Sequence, residues 1–156
     1  MEIVSYLIEA HIFGRSEKGI EFLIMKRSEE ELYPNIWQMV TGSIKEGEKA
    51  YQAALREIKE ETGLTPVRFW VVPLVNSFYS HQKENICLVP VFAAEVIFDS
   101  AVEISSEHSE YKWMTADEAK KHLAWEGQRK AVDLIVEYFV EPGSELKFME
   151  IEVESE

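Results

Sequence analysis

GSIKEGEKAYQAALREIKEETGL, residues Gly42–Leu64, decides how this chain is read. From Glu48 to Thr62, Tyr51, Leu55, Ile58 and Thr62 recur at spacings of three and four with Ala54 on their flank. This predicts a helix over 48–62 that docks on that stripe. Gly63 supplies a C-terminal stop. Glu57, Glu60 and Glu61 stand at i, i+3 and i+4 and so share another face, one turn beyond the small Ala50 and Ala53. Ala53, Leu64 and Thr65, at the flanking positions of that face, do not neutralise them, and like charges so placed destabilise an isolated helix. Taken alone, REIKEE fits an ordinary acidic helix face. The same clustering of oxygens suits hard divalent cations, because Mg²⁺ is held by one or two carboxylates with water and phosphate completing its shell. Arg56, beside Glu57, can orient one carboxylate through a bidentate contact.

Working outward, two strands are expected at Ile3–Phe13 and Ile20–Arg27, joined by a turn containing Gly14 and Gly19. Pro34 and Asn35 discourage helix in the polar loop SEEELYPNIW, and Gln38–Thr41 forms a short strand running into Gly42. Beyond the helix, β-rich runs at Val67–Tyr79 and Ile86–Phe98 flank the polar connection SHQKEN. A short strand is expected at Tyr111–Met114. Thr115 with Glu118 three residues on is a capping box for the next helix. A last helix spans Glu126–Val140 with Ala131, Leu134, Ile135 and Tyr138 on one side. Interspersed strands and helices suggest an α+β or a mixed α/β sandwich, and the pattern alone does not fix the topology.

At 156 residues the chain fits one domain, read as 1–142 followed by an acidic tail at 143–156. Its 29 acidic against 16 basic side chains leave a net charge of −13, which disfavours nucleic-acid polymers and anionic membranes as partners. An acidic protein can still act on a polyphosphate when divalent cations bring the two together. No apolar run is long enough to span a bilayer, and the N-terminus has neither a basic n-region nor a small-residue cleavage site. The single cysteine, Cys87, excludes an intrachain disulfide and reads as a small buried residue. A cytoplasmic protein is the simplest reading.

From Gly42 the stretch satisfies G-x5-E-x7-R-E-U-x-E-E-x-G-U, with U aliphatic. Gly42, Glu48, Arg56, Glu57, Ile58, Glu60, Glu61, Gly63 and Leu64 fill every fixed place. Residue frequencies make a chance match roughly one in a million. This is the signature of the Nudix hydrolases, which the sequence resembles. The resemblance implies an α/β/α sandwich and hydrolysis of a nucleoside diphosphate linked to another group, dependent on Mg²⁺ or, in its place, Mn²⁺. It makes Glu57, Glu60 and Glu61 metal ligands, Arg56 the orienting residue and Glu48 an outer helper. Gly42 and Gly47 shape the loop, and the carbonyl of Thr41 is a further metal ligand. Many members have Pro-Gly-Gly where this chain has Thr41-Gly42-Ser43. The family often adds a carboxylate from a later loop, as ligand or general base. Here Glu107 takes that place ahead of Glu110, and His108 is read as a loop residue. Many relatives are homodimers, although nothing in this sequence marks an interface.

WQMVTGSIKEGE and SEHSEYKWMTADEAKKHLAWEGQRKAV look like the bacterial pyrophosphohydrolases of dATP and dihydroneopterin triphosphate. That likeness implies water attacking a triphosphate to release pyrophosphate and a monophosphate. Arg27 is then a phosphate contact. Trp37 either stacks on a base or pterin ring or packs in the body of the protein. Tyr79, sixteen residues after Gly63, raises diadenosine polyphosphates as an alternative substrate, but reads first as an aromatic at a strand end. No proline stands where ADP-ribose preference would put one, Pro73 being too early and Pro90 too late. A non-catalytic, nucleotide-sensing domain would be signalled by loss of a ligand glutamate, and none is lost.

Overall fold

The computed structural model describes residues 1–140 and 149–153. In chain order the strands are β1 (Glu2–Val4), β2 (Leu7–Ser16), β3 (Gly19–Arg27), β4 (Trp37–Gln38) and β5 (Val40–Ser43). Helix α1 (Ala50–Thr62) follows, then β6 (Arg68–Ser80), β7 (Asn85–Glu95) and β8 (His108–Thr115). Helices α2 (Ala116–His122) and α3 (Glu126–Val140) precede β9 (Glu150–Ile151). The central path of the sheet runs β4-β3-β2-β7-β6-β9, with β5 paired to β2, β8 to β3 and β1 to β7. β2 and β1 run parallel to β7, and the other pairings are antiparallel, so the sheet is mixed.

β2 and β3 are buried at almost every position, as expected of strands covered on both faces. On one face Ile8, Ala10, Ile12, Leu23, Met25, Phe69 and Phe92 meet Ala53, Ala54 and Ile58 of α1. On the other, Phe13, Phe22, Ile24, Trp70 and Val91 meet Ala119 of α2 and Ala131, Val132 and Ile135 of α3. Two apolar layers with helices outside them make the expected α/β/α sandwich. Among the described residues, no helix is long and apolar enough to cross a membrane.

Several boundaries differ from the sequence reading. The strand expected at Ile3–Phe13 is broken at Ser5–Tyr6, because β1 and β2 pair with β7 in registers one residue apart. At the break the Tyr6 carbonyl accepts from the Ile44 amide (2.8 Å), seating the end of β5. Gly14 lies inside β2 and not in a turn. A Cβ there would come within 2.9 Å of the Phe98 Cα, so close backbone approach explains this glycine. The turn falls on Glu17 and Lys18. Trp37–Gln38 and Val40–Ser43 are separate strands, and β8 starts three residues before the expected Tyr111. Helix α1 begins at Ala50, leaving Glu48 in the preceding loop. Thr115 caps α2 as expected, accepting from the Glu118 amide.

The boundary expected at 142/143 lies outside the described residues, as does most of the tail. Its described part is docked: Glu150 and Ile151 pair with Trp70 and Phe69, and Glu150 accepts from Arg68 at 2.8 Å.

Candidate metal and phosphate site

Four segments meet at one end of the sheet: β5, the C-terminal half of α1, the end of β3 and the start of β8. Gly42 pairs with Ile8 of β2, which turns its open side toward α1. A Cβ on Gly42 would lie 2.3 Å from the Glu57 Cδ, so the Glu57 carboxylate fills the space that any side chain at 42 would take. Gly47 has φ of +77° with open space around it, and its role is conformational. It closes a turn in which the Glu48 amide donates to the Lys45 carbonyl and the Lys45 amide donates back to the Glu48 carboxylate, both at 3.0 Å.

That turn aims Glu48 at Arg56. The guanidinium donates through Nε and Nη2 to the two Glu48 oxygens at 2.8 and 2.9 Å, and through Nη2 to the Ser43 carbonyl at 2.8 Å. Its Nη1 donates to Glu57 at 2.8 Å and to Glu60 at 3.1 Å. The bidentate Arg56 contact, helped by the Lys45 amide, pulls the Glu48 carboxyl down to about 2. Glu48, then Glu57, raise Arg56 above its already high value. The acidic face is therefore partly compensated, since Arg56 shares its one positive charge among Glu48, Glu57 and Glu60.

The three helix glutamates also differ in burial. Glu60 is half exposed, Glu57 mostly covered and Glu61 only 2% exposed. Ala53, one turn before the acidic face, is fully buried in the α1 layer. Neither Glu61 oxygen has a hydrogen-bond partner. Burial first, then the Glu57 carboxylate, pushes its carboxyl up to about 10. An ionisable oxygen pair held dry and unpartnered is costly unless something positive joins it.

β8 brings the remaining groups. Its pairing with β3 shifts register between Lys26 and Arg27, and Arg27 then lies opposite His108. Glu61, Glu107 and His108 each offer a ligand atom within 4.8 Å of the others. Glu107 is raised by burial first and then by Glu57 and Glu31, with Arg27 working against the shift. His108, 4% exposed, is lowered to about 4 by burial first and then by Arg27. Its Nδ1 faces Glu61 Oε1 at 3.8 Å, and its Nε2 meets the Gln38 amide nitrogen at 3.1 Å.

The structure thus brings Glu57, Glu60, Arg56 and Glu48 into one ion-pair network, and sets Glu107 beside Glu61. Glu110, which pairs with Lys26 along β8, is not in that group. Thr41 lies in β5 opposite Glu9. Arg27 donates to the Leu32 carbonyl (2.6 Å) and holds the 28–36 loop while lending positive charge to Glu61 and Glu107. Trp37 packs on the α3-side core, edge-to-face with His122 at 5.8 Å. Tyr79 is exposed near the β6–β7 turn and donates to Glu84 at 2.5 Å. The sequence reading took His108 for a loop residue and gave Gln38 no part in the site. Placing the start of β8 at Tyr111 left His108 in a loop, and a strand reaching back to 108 would have turned it inward.

A family model for the NUDIX domain matches residues 8–135. The chain is 32% identical over 130 residues to an octanoyltransferase of Myxococcus xanthus, a match covering 79% of this chain and 34% of that one; the chain spans about a third of that relative's length. It is 29% identical over 144 residues to the dihydroneopterin triphosphate diphosphatase of Escherichia coli, covering 80% of this chain and 87% of the relative. A solved structure from Listeria monocytogenes, described as a NUDIX hydrolase, superposes with a TM-score of 0.75 at 22% identity, covering 86% of this chain and 94% of that one. With the matched family spanning most of the fold and the carboxylate cluster inside it, the chain belongs to the NUDIX family, and its site is that of a MutT-like hydrolase of phosphoric anhydride bonds.

Proposed function

We propose that this protein hydrolyses a pyrophosphate bond in a nucleoside triphosphate-like metabolite, a dNTP or dihydroneopterin triphosphate, releasing a monophosphate and pyrophosphate. The observation that carries the metal dependence is Glu61, whose two buried oxygens lack any partner beside Glu107. The carboxylate-rich donor set and the space that Gly42 leaves for Glu57 fit Mg²⁺, with Mn²⁺ able to substitute. Glu57, Glu60, Glu61, Glu107 and the Thr41 carbonyl would hold it. When bound, divalent cations neutralise phosphate charge and make water a stronger nucleophile.

The chain's own residues do the rest. Arg56 fixes the directions of Glu57 and Glu60 and hence where their free oxygens point. Glu107, at the rim and with a raised carboxyl pKa, is placed to take a proton from attacking water. Arg27 stands beside this group as a phosphate contact, and Trp37 and Tyr79 are the aromatic candidates for the rest of the substrate. The working unit in this reading is the domain at 1–142, with 143–156 as its acidic tail. The similarity to the dihydroneopterin triphosphate diphosphatase supports the choice of substrate.

The test is a panel containing dATP, dihydroneopterin triphosphate, oxidised nucleotides, diadenosine tetraphosphate and ADP-ribose, with Mg²⁺ or Mn²⁺, scored for products by ³¹P NMR. Pyrophosphate from one of the triphosphates is expected. Turnover of diadenosine tetraphosphate alone would move the assignment to the substrate class that Tyr79 raised. No product from any member, with ligands still raising the melting temperature, would make this a binding domain.

A further inference from the structure

Two aromatic side chains stand in the open near the carboxylate site: Tyr33 in the 28–36 loop, 58% exposed, and Trp125 just before α3, 53% exposed. Their rings meet edge-to-face, with centroids 6.1 Å apart and planes at 78°. Both are held there by backbone contacts. On either side of Tyr33 the loop is tied to Arg27, whose Nε donates to the Leu32 carbonyl at 2.6 Å and whose carbonyl accepts from the Asn35 amide at 3.1 Å. Tyr33 itself takes φ of +55°, a region that bulky side chains seldom enter, so the loop presents this ring against a backbone preference. The Trp125 carbonyl accepts from the Gln128 and Arg129 amides at 3.1 and 3.2 Å, and the Arg129 guanidinium donates to the Leu123 and Ala124 carbonyls. Leu123 in turn bridges to Trp37 of β4. Gly127 seats the start of α3 on β6, where a Cβ would lie 2.4 Å from the Asn76 Oδ1.

Gln128 heads the inward stripe of α3 that continues through Ala131, Val132 and Ile135. It is 8% exposed and its Oε1 has no hydrogen-bond partner. A buried polar atom left in that state calls for a partner from outside the chain. Two rings near a right angle, with a spare hydrogen-bonding group beside them, suit a flat heterocycle. Such a ring stacks on one wall, meets the other edge-on and is bonded at its rim. Arg27, which anchors the Tyr33 loop, also lends its charge to Glu61 and Glu107, so one side chain links this corner to the carboxylates.

We propose that Tyr33, Trp125 and Gln128 form the subsite for the ring of the substrate, which is a polyphosphate carried on a flat, hydrogen-bonding heterocycle. This subsite rests on the phosphate chemistry proposed above and places the rest of the substrate. Trp37 and Tyr79 are engaged elsewhere: Trp37 packs on the α3-side core, and Tyr79 donates its hydroxyl proton to Glu84.

The probes are α,β-methylene-dATP, which keeps the ring and resists cleavage, and methylenediphosphonate, which has no ring, each added with MgCl₂ to the full chain. Trp125 is the most exposed of the four tryptophans, so the analogue should quench tryptophan emission and methylenediphosphonate should not. Trp125→Phe should abolish the quench while calorimetry shows affinity close to wild type, because phenylalanine still stacks. Trp125→Ala should weaken binding of the analogue by about tenfold or more and leave methylenediphosphonate unaffected. Gln128→Met, of similar length but without the amide, should weaken the analogue alone as well. If Trp125→Ala does not fold, Tyr33→Ala, at an exposed position, should show the same split. An analogue that binds no tighter than methylenediphosphonate, a quench that survives Trp125→Phe, or alanine variants that bind the analogue as wild type does would each overturn the proposal. Absence of hydrolysis in the substrate panel would defeat the proposed function and leave the quench in place. Pyrophosphate release without ring-dependent binding would defeat the subsite alone.

Discussion

Replacing Gly42 with alanine should separate the site from the fold more cleanly than deleting a carboxylate. The new Cβ would stand 2.3 Å from the Glu57 Cδ and 2.5 Å from its Cγ and Oε1, roughly 1 Å inside ordinary van der Waals contact. Glu57 is the far end of a side chain, so it can swing away, breaking its 2.8 Å bond to Arg56. A misplacement of about 1 Å at a reacting centre costs about 10²-fold in rate, and kcat should fall by that order. Stability should barely move. Gly42 does not have a positive φ, and when Glu57 swings away Arg56 keeps its bonds to Glu48, Glu60 and Ser43, so one hydrogen bond is lost, about 1 kcal/mol. Stiffening of the unfolded chain by alanine returns a similar amount. For a chain of this size the melting temperature should shift by no more than about 4 °C. Steady-state kinetics on the substrate found by the panel, with thermal melts followed by circular dichroism, decide the matter. Wild-type turnover would refute the argument that Glu57 needs the space above residue 42. A melting temperature lowered by ten degrees or more would show that Gly42 serves packing instead.

Glu60→Gln should lower kcat by at least about 10²-fold while the protein stays folded, and near-wild-type turnover would remove Glu60 from the metal site. Glu107→Ala should slow hydrolysis far more than Glu110→Ala, and equal rates would show that the loop acid is misassigned. Because Glu48 has a folded pKa of about 2 against an ordinary 4.5, its contribution to stability is present above about pH 4.5 and lost as pH falls toward 2. Glu48→Gln should flatten the pH dependence of urea unfolding in that window, and an unchanged slope would contradict the Arg56 pairing. Glu61 has the opposite sign: with its pKa raised to about 10, metal-free protein should lose stability from about pH 4.5 upward through pH 10. Glu61→Gln should therefore melt higher than wild type at pH 8 without Mg²⁺, and Mg²⁺ should stabilise wild type far more than the variant. A variant less stable than wild type in chelator would mean that Glu61 is not strained.

The helix and its docking stripe were legible because local spacing determines them: Ile58 and Thr62 are buried where the periodicity puts them. The motif likewise marked Arg56 and the three glutamates. What spacing did not carry was the inequality among those glutamates. Glu57, Glu60 and Glu61 look alike on a helical wheel, but β8 covers only Glu61, and β8 lies some fifty residues further along the chain. The inward placing of Gln38 and His108 was hidden for the same reason, since each is defined by its pairing with β3 and not by its neighbours in sequence. Gly14 misled because glycine marks turns more often than it marks close approach of two backbones.

The reach of Arg56 to Ser43, Glu48, Glu57 and Glu60 bears on how so many glutamates are accommodated together. A tethered guanidinium occupies the acidic end of the helix without any free cation having to be bound. One positive charge shared among three carboxylates offsets part of their mutual repulsion from within the chain. Glu61 lies outside the reach of that guanidinium, and among the three helix glutamates it is the one whose buried oxygens stay unpartnered.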